Sequence, residues 1–389
     1  MSSYARAYEL KDEIISCRRY IHSYAEVGFD LPRTRKFIMD KLTKYGYEPK
    51  QLGDGVVATV GSSGKVIMLR ADMDGLPFKE QSGLEFASTS ENCHACGHDI
   101  HTSMLLGAAK MLKEREKELK GTVKLLFQPA EELLIGAETM VDAGVLENPK
   151  VDCAVMCHVN SVAGGAYIGI GIGPKQASSN NFKIRVKGKG SHGALPCNGV
   201  DPVMIGAHIL VGVQELITRE LPFDKSATIT MGHFEAGSAA NVIPPEAFIE
   251  GTMRTFTLST QEYLKKRLPE VVSAIAKLYR GEAELEFTCD VPVNVNDPVF
   301  GADIERYLKE MAAENGMEVR QTQPSPGSED FAFYSRVVPG YVISLNMPNP
   351  GAETVYPLHN PHVVFDENIM PVGSAAFVEC AVRWLDENA

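Results

Sequence analysis

Asn181-Phe-Lys-Ile-Arg-Val-Lys187 alternates polar and apolar side chains, the pattern of a strand with one face on a core and the other in water. It opens a run unlike the chain before it. A helix is expected over 202–217, strands over 226–234 and 247–257, a second helix over 260–279 and a last strand over 282–288. The order β-α-β-β-α-β is the ferredoxin-like arrangement, an open sheet with both helices on one face. Upstream, apolar spacing gives amphipathic helices over 7–22 and 34–45. Val66-Ile-Met-Leu-Arg-Ala71, Val123-Lys-Leu-Leu-Phe127 and Val151-Asp-Cys-Ala-Val-Met156 read as strands, and a helix over 102–119 separates the first two. Strands separated by helices make an α/β domain with a largely parallel sheet. That character returns after Val291. The expected organisation is a larger α/β domain in two parts, 1–178 and 292–389, with a smaller α+β domain, 179–291, inserted between them.

The chain has 389 residues, longer than most single cores, which agrees with two domains. Its 38 basic and 50 acidic residues leave a formal net charge of -12. A nucleic-acid partner would call for a basic face instead. The charge leaves the substrate open, because a cleft on an acidic protein can still be locally positive. Met1-Ser-Ser-Tyr-Ala-Arg6 is polar and runs straight into a charged segment, without the apolar stretch of a secretory signal. The longest apolar runs, such as 207–213, are too short to span a bilayer. No membrane partner and a cytoplasmic location are expected. The eight cysteines, at 17, 93, 96, 153, 157, 197, 289 and 380, are then thiols or metal ligands rather than disulfides.

Cys93-His-Ala-Cys-Gly-His-Asp-Ile-His101 gathers thiols and imidazoles between a strand and a helix. Cys96 and His98 are two apart, so in an extended segment they project from one side. Asp99 and His101 open the helix, where an acidic group suits the N-terminus. A polar loop with a helix cap, or a zinc knuckle of Cys93, Cys96, Cys153 and Cys157, would be simpler. Neither gives the interleaved histidines a role. Glu131 and Glu132 follow the strand that ends near Phe127, where open α/β sheets place active sites. One can bind metal while its neighbour acts as general base; a solvated charge pair opening a helix is the plain alternative. His158 lies at the end of another strand, and His359 and His362 in a late proline-containing loop. Cys96, His98, Glu132, His158 and His359 together exceed the needs of one tetrahedral ion. They favour two divalent ions, Zn first and Mn or Ni next.

Eight segments in order resemble the dinuclear metal-dependent aminoacylase and carboxypeptidase superfamily. They are Arg70-Ala-Asp-Met-Asp-Gly-Leu-Pro77, His94-Ala-Cys-Gly-His-Asp99, Gln128-Pro-Ala-Glu-Glu132, Gly190-Ser-His-Gly-Ala-Leu-Pro196, Asn241-Val-Ile-Pro244, Gly251-Thr-Met-Arg-Thr-Phe256, Gly327-Ser-Glu-Asp-Phe331 and His359-Asn-Pro361. Within it, the chain looks most like the N-acyl-amino-acid amidohydrolase branch, which includes hippurate and auxin-conjugate hydrolases. The resemblance implies a mixed-sheet, metallopeptidase-like catalytic domain carrying an inserted ferredoxin-like dimerisation domain, in a homodimer or dimer of dimers. It implies that Cys96, His98, Glu132, His158 and His359 bind metal and that Glu131 is the general base for a metal-bridged hydroxide. Asp72 and Asp74 would orient ligands, Asp72 standing where related branches have a histidine. His192 would lie over a partner's metal site and stabilise the oxyanion. Asn241 and Arg254 would hold the substrate, Arg254 by a bidentate grip on its carboxylate. The implied reaction is cleavage of N-acyl amino acids, with a dipeptidase or carboxypeptidase as the alternative.

Three departures stand out. Cys93 stands where relatives commonly have methionine, a thiol near the metals that is either redox-sensitive or inert. Leu133-Leu-Ile135 follows Glu132 where relatives are typically glycine-rich; these residues either line an acyl pocket or pack into the next helix. Ala25 replaces a usual proline, and the nearby His22 reads as structural. Two other functional classes remain open at this point: a thiol hydrolase using Cys96 or Cys93, and a zinc-stabilised binding protein without catalysis.

Overall fold

The structure is a computed structural model that describes residues 2–389. The chain forms two compact units. One comprises Met1–Lys175, Val295–Gln323 and Asp330–Ala389; the other comprises Gln176–Asn294 and Pro324–Glu329.

The first unit is built on a mixed eight-stranded sheet. Its strands run, edge to edge, Lys50–Leu52, Gly55–Gly61, Thr122–Gln128, Val66–Asp72, Cys153–Asn160, Gly340–Asn346, Tyr167–Ile170 and Val319–Gln321. The central four are parallel, and antiparallel pairings flank them. Side chains alternate between two cores, as strand geometry requires. Ile67, Leu69 and Ala71 enter the core shared with the helices His98–Glu114, Pro298–Asn315 and Met370–Glu387. Val66 and Met68 enter a smaller core with Ala137, Met140, Phe331 and Tyr334. A sheet covered on both faces accounts for the unbroken apolar strands. The helices His98–Glu114 and Met370–Glu387 cross at glycines. A Cβ on Gly373 would stand 2.1 Å from Met104 Sδ, and one on Gly107 would stand 2.6 Å from Ser374 Oγ.

Three local expectations are corrected. The helix over 7–22 is two helices, Ser3–Glu9 and Lys11–His22, separated at Leu10. The helix expected from residue 102 begins at His98, because Gly97 turns the chain with φ of 89°, a conformation glycine adopts without cost. Cys96 and His98 therefore do not share an extended segment; a left-handed turn lies between them. The strand expected at 151–156 runs Cys153–Asn160, so His158 lies inside it rather than beyond its end.

The second unit is a four-stranded antiparallel sheet in the order Ala227–Ala236, Glu246–Thr255, Asn180–Lys187, Glu282–Phe287. Phe182, Ile184 and Val186 alternate into its core against Ile205 and Ile209 of the helix Pro202–Gly212 and Leu264, Leu268 and Val272 of the helix Leu258–Leu278. The first helix starts where Asp201 accepts from the amides of Val203 and Met204, with Pro202 at its first position. It ends at Gly212, short of the expected 217, and a wider turn over Leu216–Glu220 follows.

Candidate metal centre

The strands Val66–Asp72 and Thr122–Gln128 end side by side, Asp72 in register with Gln128, and the chain leaves both ends carrying functional groups. After Val66–Asp72 comes Asp74, whose carboxylate accepts from the amides of Glu131 at 3.1 Å and Glu132 at 3.2 Å. That contact fixes the turn bearing both glutamates. From behind, the fully buried Arg70 donates to Gln128 Oε1, Asp72 Oδ2 and Asp330 Oδ1. Asp330 accepts in turn from the amide of Ala137 at 2.8 Å, closing the far side of the same turn. Neither Arg70 nor Gln128 nor Asp330 stood out as functional in the sequence, since their partners lie far along the chain.

Six side chains converge in front of these supports. Ligand atoms of Cys96, His98 and His158 lie within 4.8 Å of one another, as do those of Cys96, Glu132 and His359, and of His98, Glu131 and Glu132. His98 Nε2 stands 3.8 Å from carboxylate oxygens of Asp72, Glu131 and Glu132, too far for hydrogen bonds. It and Glu132 Oε1 are buried without a hydrogen-bond partner. Orphaned buried donors and acceptors are costly. An imidazole nitrogen and a carboxylate oxygen held just apart suit a cation bonded to each at about 2.0–2.2 Å. His158 donates from Nδ1 to the carbonyl of Val159 at 2.7 Å, which leaves Nε2 as an acceptor facing Cys96 Sγ at 3.8 Å. His359, held with φ of 63°, brings Nε2 to 3.4 Å from Glu132 Oε1.

Without an ion, burial dominates the titration of this cluster. It raises the Cys96 thiol well above its usual range and Glu132 to about 7, and lowers His158 to about 3. Burial also opposes charge on His98, but Asp72 and Cys96 outweigh it and raise that imidazole. A thiol pushed upward is the opposite of an activated nucleophile, which removes support for the thiol hydrolase. The zinc knuckle does not form: no cluster among the described residues joins Cys93, Cys153 and Cys157 to Cys96. Cys93 is buried, with its thiol pushed up to about 12, so of its two readings the inert one fits.

His101 is a residue whose part the sequence did not reveal. Its Nδ1 lies 2.6 Å from Asp72 Oδ1, and its Nε2 accepts from the amide of Val159 at 2.8 Å. Both nitrogens are engaged, so it ties the strand ends together although Asp72, His98 and His101 could enclose an ion by distance alone. Asp99, fully buried, accepts from Arg18 and meets His22 Nδ1 at 2.8 Å, which gives His22 its structural role.

His192, Asn241 and Arg254 belong to the second unit. His192 pairs with Val242 across two short strands, and the amide of Gly193 donates to the carbonyl of Asn241. His192 Nδ1 accepts from the amide of Ala194 at 3.0 Å, so its proton sits on the outward Nε2. Arg254 is half-buried, donates to Ser328 Oγ at 2.6 Å and makes no ion pair with a carboxylate among the described residues. A surface ion pair does not explain it.

Proteins of known name resemble the chain over nearly all its length. An IAA-amino acid hydrolase of Arabidopsis thaliana is 37% identical, covering 98% of this chain and 88% of that protein. An N-acetylcysteine deacetylase of Bacillus subtilis is 36% identical, covering 96% and 97%. Among solved structures, a putative aminohydrolase of Staphylococcus aureus superposes with a TM-score of 0.93 at 31% identity, covering 98% of each chain. A dinuclear metal-binding M20 peptidase of Bacillus subtilis superposes with a TM-score of 0.83 at 33% identity, covering 98% and 99%. The model of one family matches residues 68–383, a span that includes all of the converging cluster, and on that match the chain belongs to peptidase family M20/M25/M40.

Proposed function

We propose that this enzyme hydrolyses the amide bond of N-acyl amino acids, releasing a carboxylic acid and a free amino acid, with Glu131 as general base. The observation that carries the reading is the orphaned pair His98 Nε2 and Glu132 Oε1 beside a second, buried carboxylate on the same turn. Cys96, His98, Glu132, His158 and His359 would hold two divalent ions. Thiolate, imidazole and carboxylate together suit Zn, then Mn or Ni. Such ions, when bound, supply Lewis-acid polarisation of the carbonyl and a water acidic enough to lose a proton near neutral pH.

Glu131 takes the proton of the attacking water and delivers it to the leaving amine nitrogen, splitting a difficult transfer between two steps. Asp74 holds the amides of both glutamates, so the base and its ligand neighbour keep their spacing as charge moves. His192 offers an Nε2 proton to the oxygen of the tetrahedral intermediate, help typically worth about 10²–10³-fold. Arg254 grips the substrate carboxylate and Asn241 adds a neutral hydrogen bond beside it.

The second unit is the surface on which two copies would pair. Its strand Ala227–Ala236 is an open sheet edge, and Val203, Met204 and Val211 of its helix are exposed, both features that association covers. A cytoplasmic location is supported by eight cysteines that are all unpaired, as a reducing compartment keeps them. No helix among the described residues is long and apolar enough to cross a membrane.

The test is Glu131→Gln, assayed on a panel of N-acyl amino acids after metal loading. Turnover is expected to fall by about 10²–10⁴-fold while metal content matches the unaltered enzyme. Substantial residual turnover contradicts the base assignment.

A further inference from the structure

The turn that carries Glu131 and Glu132 continues into Leu133-Leu-Ile135. It is rigid. The amide of Leu134 donates to the carbonyl of Glu131 at 2.7 Å, that of Gly136 to Ala130, and that of Ala130 to Gly28 at 3.1 Å. Ala130 and Leu134 both have positive φ, 56° and 58°, a conformation that a branched side chain such as leucine rarely takes. Despite this rigidity, Leu133 is 54% exposed and Ile135 41%. The helix that follows, Gly136–Asp142, buries Gly136, Ala137 and Met140 and neither of those two side chains. Packing into the next helix therefore does not explain them. Single exposed aliphatics are ordinary; two on one strained, tightly tied turn, directly beside a reactive carboxylate pair, call for an occupant. Leu133 rests on the loop at Gly28, its Cδ1 only 3.1 Å from where a Cβ there would stand, so it cannot fold away on that side.

We propose that Leu133 and Ile135 form an apolar wall that receives the acyl group of the substrate and selects bulky aromatic acyl groups over acetyl. The proposal rests on the amide-hydrolase reading, since the scissile carbonyl must reach Glu131 and its acyl substituent then lies within a few bonds of this turn. Strain at such a place holds a side chain where a ligand needs it.

The experiment compares one amino acid carrying an N-phenylacetyl or an N-acetyl group, with the metal-loaded enzyme and with the double variant Leu133→Ala, Ile135→Ala. Both replaced side chains are exposed, so the fold is expected to persist, and thermal unfolding checks it. The unaltered enzyme should favour the phenylacetyl substrate. The ratio of kcat/KM values should fall about tenfold or more in the variant, the scale at which apolar pockets discriminate. Calorimetric binding of phenylacetate against acetate gives the second readout: the aromatic acid should bind tighter, and lose that advantage in the variant. A preference for acetyl, or ratios and relative affinities that do not change, overturns the wall. If the loaded enzyme cleaves neither substrate, amide hydrolysis fails instead, and the carboxylate binding alone still decides the wall.

Discussion

Arg254 has a half-buried guanidinium whose pKa burial lowers and whose hydrogen bonds go to a hydroxyl and a carbonyl rather than an acid. A cation desolvated without an anion is unfavourable until one arrives. Arg254→Ala should therefore chiefly raise KM for substrates bearing a free carboxylate, by roughly tenfold or more. It should have little effect on an amide analogue that lacks the charge, and equal losses on both would remove the carboxylate from the account. The candidate metal ligands make a second prediction at this scale. In the ion-free protein the Cys96 thiol is raised and Glu132 lies at about 7, so near neutral pH the thiol keeps its proton and the carboxyl keeps part of one, and an ion must displace them. Lowering the pH from 8 to 6 adds protons and weakens binding, by about tenfold per pH unit for each proton released. Metal titrations at both pH values check this; equal affinities would mean these groups are not displaced. The cluster from Cys93 to His101 was legible in the sequence by its residue types, whereas Glu131, Glu132, His158 and His359 gained their roles from the resemblance, since a charge pair or a single histidine near a strand end is commonly structural. His101 was visible as a residue, but its role was not. It became a tie only when Asp72 and the amide of Val159, remote along the chain, were brought to its two nitrogens.

The helix His98–Glu114 links the core to the centre, because its first residue is a candidate ligand and its body is buried. Its position depends on the crossing with Met370–Glu387, where Gly373 admits Met104. Gly373→Ala forces a methyl into that crossing, and overpacking of this kind costs about 1–3 kcal/mol. Denaturant unfolding should show the loss, with weaker metal binding beside it as the helix start shifts. Unchanged stability would mean the crossing is loose. Sequence periodicity found the strands Val66–Asp72 and Thr122–Gln128 and the strands and helices of the second unit's main sheet, which announce themselves by apolar spacing, but it assigned no individual element after residue 291 and missed the short edge strands. It placed the start of this helix too late because the decisive feature is Gly97 at φ of 89°, a backbone conformation that hydrophobic pattern does not encode. It likewise ended the strand Cys153–Asn160 too early, since His158, a polar residue, interrupts the apolar run.

At the scale of the whole molecule, the change of pattern near Ser178 separated two kinds of architecture, a mixed sheet buried on both faces and an antiparallel sheet with one open face. That much follows from burial, because a doubly covered strand reads as a continuous apolar run and a singly covered one alternates. The segment Pro324–Glu329, which belongs with the second unit, was not legible, since nothing in its composition distinguishes a return visit from a loop. The first unit gathers the candidate ligands from a strand, a helix start and loops, and the proposed hydrolysis requires that they hold two ions beside Glu131. The direct measurement is a crystal of the metal-loaded protein with anomalous maps at the metal's absorption edge. Two peaks about 3.5–4 Å apart, bounded by Cys96, His98, Glu132, His158 and His359, are predicted; a single peak, or none at these residues, would contradict the account.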